Sequence, residues 1–599
     1  MEQEPGPRGS PQLPQALIGR SENDFAGLLD WAAKTDISFC RSAPLQAGQA
    51  GVWPPRVRYS KRLPQPRHSY SKRGMGYSNA SPSDMRSALG IFALAVVASA
   101  CSPKPPPMLA PPPPTPSQRL ASADALVRAG CLDCLISAYG EYELLRAVPS
   151  AAVTATSGAV RSAGLIAIRE REMGLADEGY GQRARMLLAG AANLPNWLAT
   201  LLDVIEVLPA SGAGVTRTPT SDIDLERSRV LRTNRDAWSV KLRELAAIDE
   251  LGAYVWLSFA CGTNDARSLS LDEVFEPSAT FRDTPLVEFK RAVCRGIEPD
   301  RLHALLDGDP RFVEARYYLG LSAVSQLKLD EADRQFEQAY AWRSRWPTLT
   351  QSIANVAITA EEFERALTFY ERTLEVEPHA VDALLGKVRA LTYLGRNEEA
   401  IATADLLIAE RWFVGDARYW RALNESELER NEEGWTDIVA AEKLLVNAEV
   451  PKLAGLLAYR RRDLDLSRAK FEVAHGRNAR DCETSFYLGI VLAEQRVWDR
   501  TADVLLDTTR CLEGAERAYA AEIAAIRASS DPPDRQTRKI ARREQLIAKS
   551  RRMTATSWFD LAVASYNLAR KVEARQFAEK VADDEQFGER ARDLLTRLR

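Results

Sequence analysis

The stretch Val313–Ala339, VEARYYLGLSAVSQLKLDEADRQFEQA, opens a pattern that runs on to Arg599. A small residue recurs along it: Ala332, Ala366, Ala400, Gly434, Ser467 and Thr501 stand at intervals of 34, 34, 34, 33 and 34 residues. Ala574 follows 73 residues later, close to two periods. Four places after each comes Phe336, Tyr370, Ala404, Ile438, Phe471, Leu505 or Ala578. Leu319-Gly320 and Leu488-Gly489 sit 12 to 13 positions ahead of their small residue. A fixed period of this length is that of a helix–turn–helix solenoid. Two antiparallel helices approach closely only where a side chain is nearly absent, and the apolar residue one turn on fills the space between them.

These residues carry a resemblance. Leu319, Gly320, Ala332, Phe336 and Ala339 in one copy resemble the tetratricopeptide repeat, as do Ala366, Tyr370 and Pro378 in the next. Trp558, Leu561, Ala562 and Ala574 do so in the last copy. The likeness covers 313–510 and 555–585, and 120–310 only loosely. Gly434, Ser467 and Thr501 depart from the usual alanine. The resemblance implies an all-α, right-handed α-solenoid in which the first helices of successive repeats line a concave groove that takes proteins or peptides. Carried over position by position, the groove candidates are Tyr317, Tyr318, Tyr419, Trp420, Phe486, Tyr487 and Phe559. Rings in a groove would stack on an extended peptide or a sugar. The competing expectation is that they pack between adjacent helices as core. The family's carboxylate clamp is not expected, because aromatic residues hold the place of its first lysine.

The chain has 599 residues and a net charge of −3, which gives no electrostatic case for nucleic acid. Residues 1–84 are rich in Pro, Gly, Ser and Arg, as in Pro54 to Arg62, and lack helical period. Such composition buries too little apolar surface to order itself. Met85-Arg86-Ser87 then opens an apolar run, Ala88 to Val97, closed by Ala98-Ser99-Ala100-Cys101. A charged start, a short apolar core and a small-residue exit make a secretory signal over 85–100. The run is too short for a bilayer, which takes about 20 residues.

Small residues before a cysteine resemble the bacterial lipoprotein signal. That implies lipidation of Cys101 and, with Ser102 after it, the outer membrane, the body facing the periplasm of the cell envelope. A signal is read at an N-terminus, so the expected start is Met85, with 1–84 an upstream extension. The proline-dense stretch within 101–119 is a semi-rigid tether.

The rest divides into an irregular α-helical region over 120–310, the repeat array over 311–512, and a long helical hairpin with a terminal repeat over 513–599. Helices are expected over Asp222 to Ala247 and Ala253 to Cys261, with a polar loop over 263–285. Cys131 and Cys134 form a CxxC, but its flanks are helical rather than βαβ and no further zinc ligands stand at suitable spacing, so neither a redox motif nor a metal site is expected. Cys482 begins one helix and Cys511 follows the next, so antiparallel packing would bring them to one side as a disulfide, with two buried thiols the alternative. Arg538, Lys539, Arg542, Arg543, Lys549, Arg551 and Arg552 make a basic helix that could meet an anionic partner or be a solvated face.

Glycine-rich phosphate loops, GxSxG and HExxH are absent from the sequence. No catalytic residue, cofactor or metal is expected. The leading expectation is a non-enzymatic, lipid-anchored scaffold for protein–protein interaction. A nutrient-binding lipoprotein for glycans or peptides, with 194–310 as ligand region, is the alternative, and an enzyme with its chemistry in 120–310 the third. Mass spectrometry of the mature protein is expected to find an N-terminus at a lipid-modified Cys101. A mature chain that retains Ser60 to Arg73 rejects the signal.

Overall fold

The structure is a computed structural model of the full chain, and it describes residues 114–598 apart from 192, 209–221, 263–269, 295, 530 and 532. The expected signal, Cys101 and the segment 1–84 lie outside the described residues. The tether is described only from Pro114, and a helix already begins at Pro116, capped by the Thr115 hydroxyl on the Gln118 N–H.

The first region contains α1 (Pro116–Ala129), α2 (Leu132–Leu145), α3 (Ala152–Met173), α4 (Tyr180–Ala189), α5 (Trp197–Val207), α6 (Asp222–Ala246), α7 (Glu250–Gly262), α8 (Leu271–Phe275), α9 (Pro285–Val293) and α10 (Pro299–Gly308). The stretch expected as a polar loop over 263–285 therefore carries α8 and a 3-10 turn at Glu276–Phe281. A capping box between Ser270 and Glu273 starts this short helix despite its polar composition.

Regular pairs follow: α11 (Glu314–Ser325) with α12 (Leu329–Trp342), α13 (Pro347–Thr359) with α14 (Phe363–Val376), and α15 (Val381–Tyr393) with α16 (Asn397–Ala409). Next come α17 (Val414–Glu427) with α18 (Asn431–Ala441), α19 (Glu449–Arg460) with α20 (Leu464–Arg477), and α21 (Cys482–Glu494) with α22 (Trp498–Arg527). Then α23 (Pro533–Asn567) returns along α22, and α24 (Lys571–Glu579) and α25 (Gly588–Arg597) end the chain. Each helix of the array packs on its neighbours in sequence order, which makes an α-solenoid.

The small residues sit where the helices of a pair touch. Ala332, Ala366, Ala400, Ser467, Thr501 and Ala574 are wholly buried, and Gly434 is buried. Ser467 Oγ donates to the Gly455 carbonyl of the first helix at 2.8 Å. A Cβ on Gly434 would stand 3.1 Å from the equivalent carbonyl, Ala422. Any larger side chain at these points would push the second helix off the backbone of the first.

The apolar residue four places on meets that same first-helix position from the side. A Cβ on Gly320 would strike the Phe336 ring, one on Gly455 would lie 2.9 Å from Phe471, and one on Gly489 would enter Leu505. Where the first helix carries Val388 instead, the second carries Ala404. Volume at the two positions is thus traded so that the sum stays near constant, as close packing requires.

Each pair turns through a residue five places before the small one. Leu327, Glu361, Gly395, Glu429, Arg462, Arg496 and Ala569 all have φ between 59° and 69°. After each, an N–H reaches back five residues, as from Lys328 to the Ala323 carbonyl at 2.9 Å and from Arg570 to Ser565 at 2.8 Å. This is the left-handed helix stop that glycine usually supplies, here met mostly by other residues. The seventh copy, with its turn at Ala569, is displaced because α22 and α23 run on past the usual pair length before it forms.

Gly320→Val is expected to destabilise the fold by about 1–3 kcal/mol through overpacking against Phe336. Adding Phe336→Ala is expected to recover part of that loss in thermal melts, because the two positions share one volume. A double variant that loses the sum of the two single effects rejects the shared volume.

Candidate interaction surface

The groove candidates lie on the first helices α11, α17 and α21 and on the last part of α23, the helices that the resemblance would place on an inner wall. The rings expected to lie open there do not. Tyr317, Tyr318, Tyr419, Trp420, Phe486 and Phe559 are between 2% and 8% exposed, and Tyr487 is half-buried. Tyr317 packs on Trp346 with centroids 4.9 Å apart, and Tyr318 meets Phe289 of α9 at 5.7 Å. Trp420 stands edge-on to Tyr393 of the preceding first helix at 6.0 Å. Tyr487 stacks on Phe471, and Phe559 stacks on Phe587.

These rings pack on other parts of the chain, against Trp346, α9, α15, α20 and Phe587 just before α25. Adjacent residues on a helix point about 100° apart, so a pair such as Tyr317 and Tyr318 cannot share one outward face. In the first repeat the irregular region also covers the inner side, bringing α9 over Tyr318.

Charged groups hold that cover in place. Arg169 of α3 and Glu314 of α11 are 1% and 0% exposed and pair at 2.7 Å. The same Glu314 oxygen accepts the Leu132 N–H at 2.8 Å, and Arg169 donates to the Gly130 carbonyl at 3.2 Å and lies 4.2 Å over the Phe289 ring. Glu172 takes the Tyr254 hydroxyl at 2.8 Å and the Lys290 ammonium. Two cations and two carboxylates balance one another inside the core, the condition under which buried charge is tolerated. Sequence reading did not find this group, because its members lie 145 and 118 residues apart.

The array has a second buried charged group. Lys452 Nζ lies 2.9 Å from Asp481 and 3.3 Å from Glu483, and Glu483 also meets Lys549 of α23 at 2.9 Å. Burial alone would drive the Lys452 proton off, but Asp481, Glu483 and Glu449 outweigh it and raise its pKa. Further along the wall, burial pushes Asp416 up to about 6 despite Arg389, and burial pushes Glu427 up to about 7 despite Arg460. A signal for some of these residues is present in the sequence: Asp416, Glu449 and Glu483 each stand 18 places before the small residue of their copy.

The Ser485 hydroxyl lies 3.0 Å from His475 Nδ1 and 3.3 Å from the Asp481 carbonyl of its own helix, so its single proton serves local structure. Cys131 is disulfide-bonded to Cys134, with Asp309 3.9 Å from Cys134 Sγ. The thiolates a metal would need are spent on each other. Cys261 pairs with Cys294 and Cys482 with Cys511, with Cα atoms 5.1 and 5.6 Å apart. Nor is the basic helix a free face: Arg538, Arg543, Lys549 and Arg551 pair with Glu362, Glu361, Glu483 and Glu516 of the chain itself. Among the described residues no helix is long and apolar enough to cross a membrane.

Taken together, this is a solenoid of stacked helix pairs whose inner wall is filled by rings and paired charges. The family model for the tetratricopeptide repeat matches residues 357–425. Solved structures similar to it include YrrB, a TPR protein with an unusual peptide-binding site, at 19% identity and TM-score 0.25, covering 29% of this chain and 91% of that one. A tetratricopeptide repeat protein from Parabacteroides merdae ATCC 43184 is similar at 17% identity and TM-score 0.28, covering 48% of this chain and 98% of that one. The APC/C hetero-tetramer Cut9–Hcn1 is similar at 12% identity and TM-score 0.33, covering 81% of this chain and 76% of that one. No curated protein sequence matches the chain.

Glu170 of α3 gives a pH test of the buried wall. Burial, then Glu178 and Asp177, push its carboxyl from the ordinary 4.5 up to about 8. Below pH 4.5 it is protonated in both the folded and unfolded chain. From 4.5 to 8 the unfolded chain ionises it while the folded chain keeps the proton, so stability falls as pH rises through that window and levels off above it. Thermal or urea melts from pH 5 to 8 are expected to show a decline that Glu170→Gln reduces by on the order of 3 kcal/mol. Equal slopes in the two proteins would reject a buried, proton-holding Glu170.

Proposed function

We propose that this protein is a non-enzymatic scaffold that gathers other proteins, held at the bacterial cell envelope by lipid on Cys101 and facing the periplasm. The observation that carries the scaffold reading is a single apolar core running from Ala123 through Leu492, which joins the irregular region and the array into one stiff curved body. A body of that kind presents long surfaces in fixed relation and has little scope for the closure motions that assemble a catalytic site. Tetratricopeptide repeats serve protein–protein interaction, and partners engage the rim and outer faces here, since the inner wall is filled.

Export is supported by the cysteines. All six in the described residues are paired, and such pairing persists in oxidising compartments. Bridges spanning 33 and 29 residues each stabilise a fold by about 3–4 kcal/mol in the chain-entropy account. Glycan capture, which needed a platform of open rings, is not favoured, because six of the seven candidates lie in the core.

Lysine-directed cross-linking of the lipidated protein in its native envelope is expected to yield partner proteins joined to positions within 311–598. Retention on a glycan matrix, with no protein cross-linked, would overturn the scaffold in favour of nutrient capture.

A further inference from the structure

The α22–α23 hairpin is much longer than any other pair, and its tip reaches back to the start of the array. Arg535 meets Asp330, and lies 3.9 Å from Glu362. Arg538 binds Glu362 at 2.7 Å, and Arg543 takes Glu361 at 2.9 and 3.1 Å. Asp330 lies in the first turn of α12, and Glu361 and Glu362 in the connection between α13 and α14. The three arginines lie along the N-terminal half of α23, at 535, 538 and 543, more than 170 residues away in sequence.

The two ends of the hairpin are attached by different physics. At its base, Cys511 of α22 is bonded to Cys482 of α21, and Phe486, Leu512 and Met553 pack around that bridge. Along its shaft, Ala515, Tyr519, Leu546 and Ile547 form a cluster of their own, separate from the main core. Toward the tip, Arg535, Arg538 and Arg543 form ion pairs with the array. The tip pairs are unevenly exposed: Asp330 and Arg538 are 58% and 40% exposed, Glu362 and Glu361 only 3% and 8%. The exposed groups feel the screening length fall from about 10 Å at 0.1 M to about 3 Å at 1 M first, and the buried carboxylates are screened as the tip lifts.

We propose that the α22–α23 hairpin is an ionic strap: hinged at the Cys482–Cys511 bridge, it closes the array from the sixth pair back to the first two, and it opens reversibly when its tip arginines are screened or displaced. Open, it uncovers the turn carboxylates Glu361 and Glu362, which are 8% and 3% exposed when it is closed. That consequence for partners rests on the scaffold reading; the opening itself does not. Burial and then Glu337 push the nearby Asp333 carboxyl up to about 9, and Arg535 acts against them.

The experiment is energy transfer between fluorophores at Ser529, on the tip, and Lys328, on the first turn, both exposed, in the full disulfide-bonded chain. Transfer is expected to fall at least twofold between 0.05 and 1 M NaCl and to return on dialysis, with helicity unchanged. The triple variant Arg535→Gln, Arg538→Gln, Arg543→Gln is expected to be open already at low salt. Arg500→Gln, which removes an exposed pair with Glu472 away from the strap, is expected to stay closed. Exchange of charge in Arg543→Glu with Glu361→Arg is expected to close better than Arg543→Glu alone. Transfer that is constant with salt, or equal in the triple variant and the parent, overturns the strap. Exchange that gives no recovery over the single variant overturns the assigned Arg543–Glu361 contact. Failure to find a partner in the envelope would leave these readings untouched, so the two proposals fall separately.

Discussion

The structure depends on how near two helices of a pair can come. Backbone meets a small side chain at Gly434 and Ser467, where the neighbouring carbonyl is within hydrogen-bond range or just beyond contact. That closeness sets the turn: only a chain that reverses through one left-handed residue, five places before the contact, can bring the second helix down at that point. Seven turns obey this, and six do so without glycine. Each non-glycine residue there costs on the order of 1–2 kcal/mol against right-handed backbone. The strain persists because a buried, close-packed seam follows in every copy and over-determines the turn.

Close pairs then dictate what becomes of the inner wall. When first helices stand side by side, residues that would face an open groove in a wider array are brought against the next helix. Rings fit such a seam, since edge-on and offset contacts between them add to their buried area. Trp420 against Tyr393 is a contact of this kind. Charges in the same seam need partners, and they have them: Lys452 lies among three carboxylates, and Arg169 and Glu314 close on each other. Truncating one member of such a group leaves its partner buried without compensation, which makes the groups rigid joints rather than adaptable binding sites.

What could be read from the sequence follows from the same geometry. The period was legible because the contact residue has almost no freedom of size, so Ala332 through Ala574 announce themselves. The turns were not, because Leu327, Glu361, Arg462 and Arg496 carry no composition signal for left-handed backbone. The role of Tyr317 or Trp420 was not legible either: an aromatic side chain at a first-helix position is compatible with groove or seam, and the distance between neighbouring helices decides. Contacts over long separations, such as Arg169 with Glu314 or Arg543 with Glu361, depend on the path of the whole chain. Nothing local marks either partner.

The division of labour between apolar and ionic contacts has its own logic. An element meant to remain in place is best held by burial, which is what the base of the long hairpin shows around Cys482 and Met553. An element that leaves its seat must be soluble in both positions. A tip faced with leucine would expose an adhesive patch each time it opened, while a tip faced with arginine exchanges one polar environment for another. The contact is weak per pair, yet three pairs on one stiff helix act together, because the shaft cannot satisfy one carboxylate and abandon the next without bending. Multivalency along a rigid rod gives a closed state that is definite in geometry and modest in depth. Those two properties are compatible with a long solenoid that is stiff in its core and adjustable at its rim.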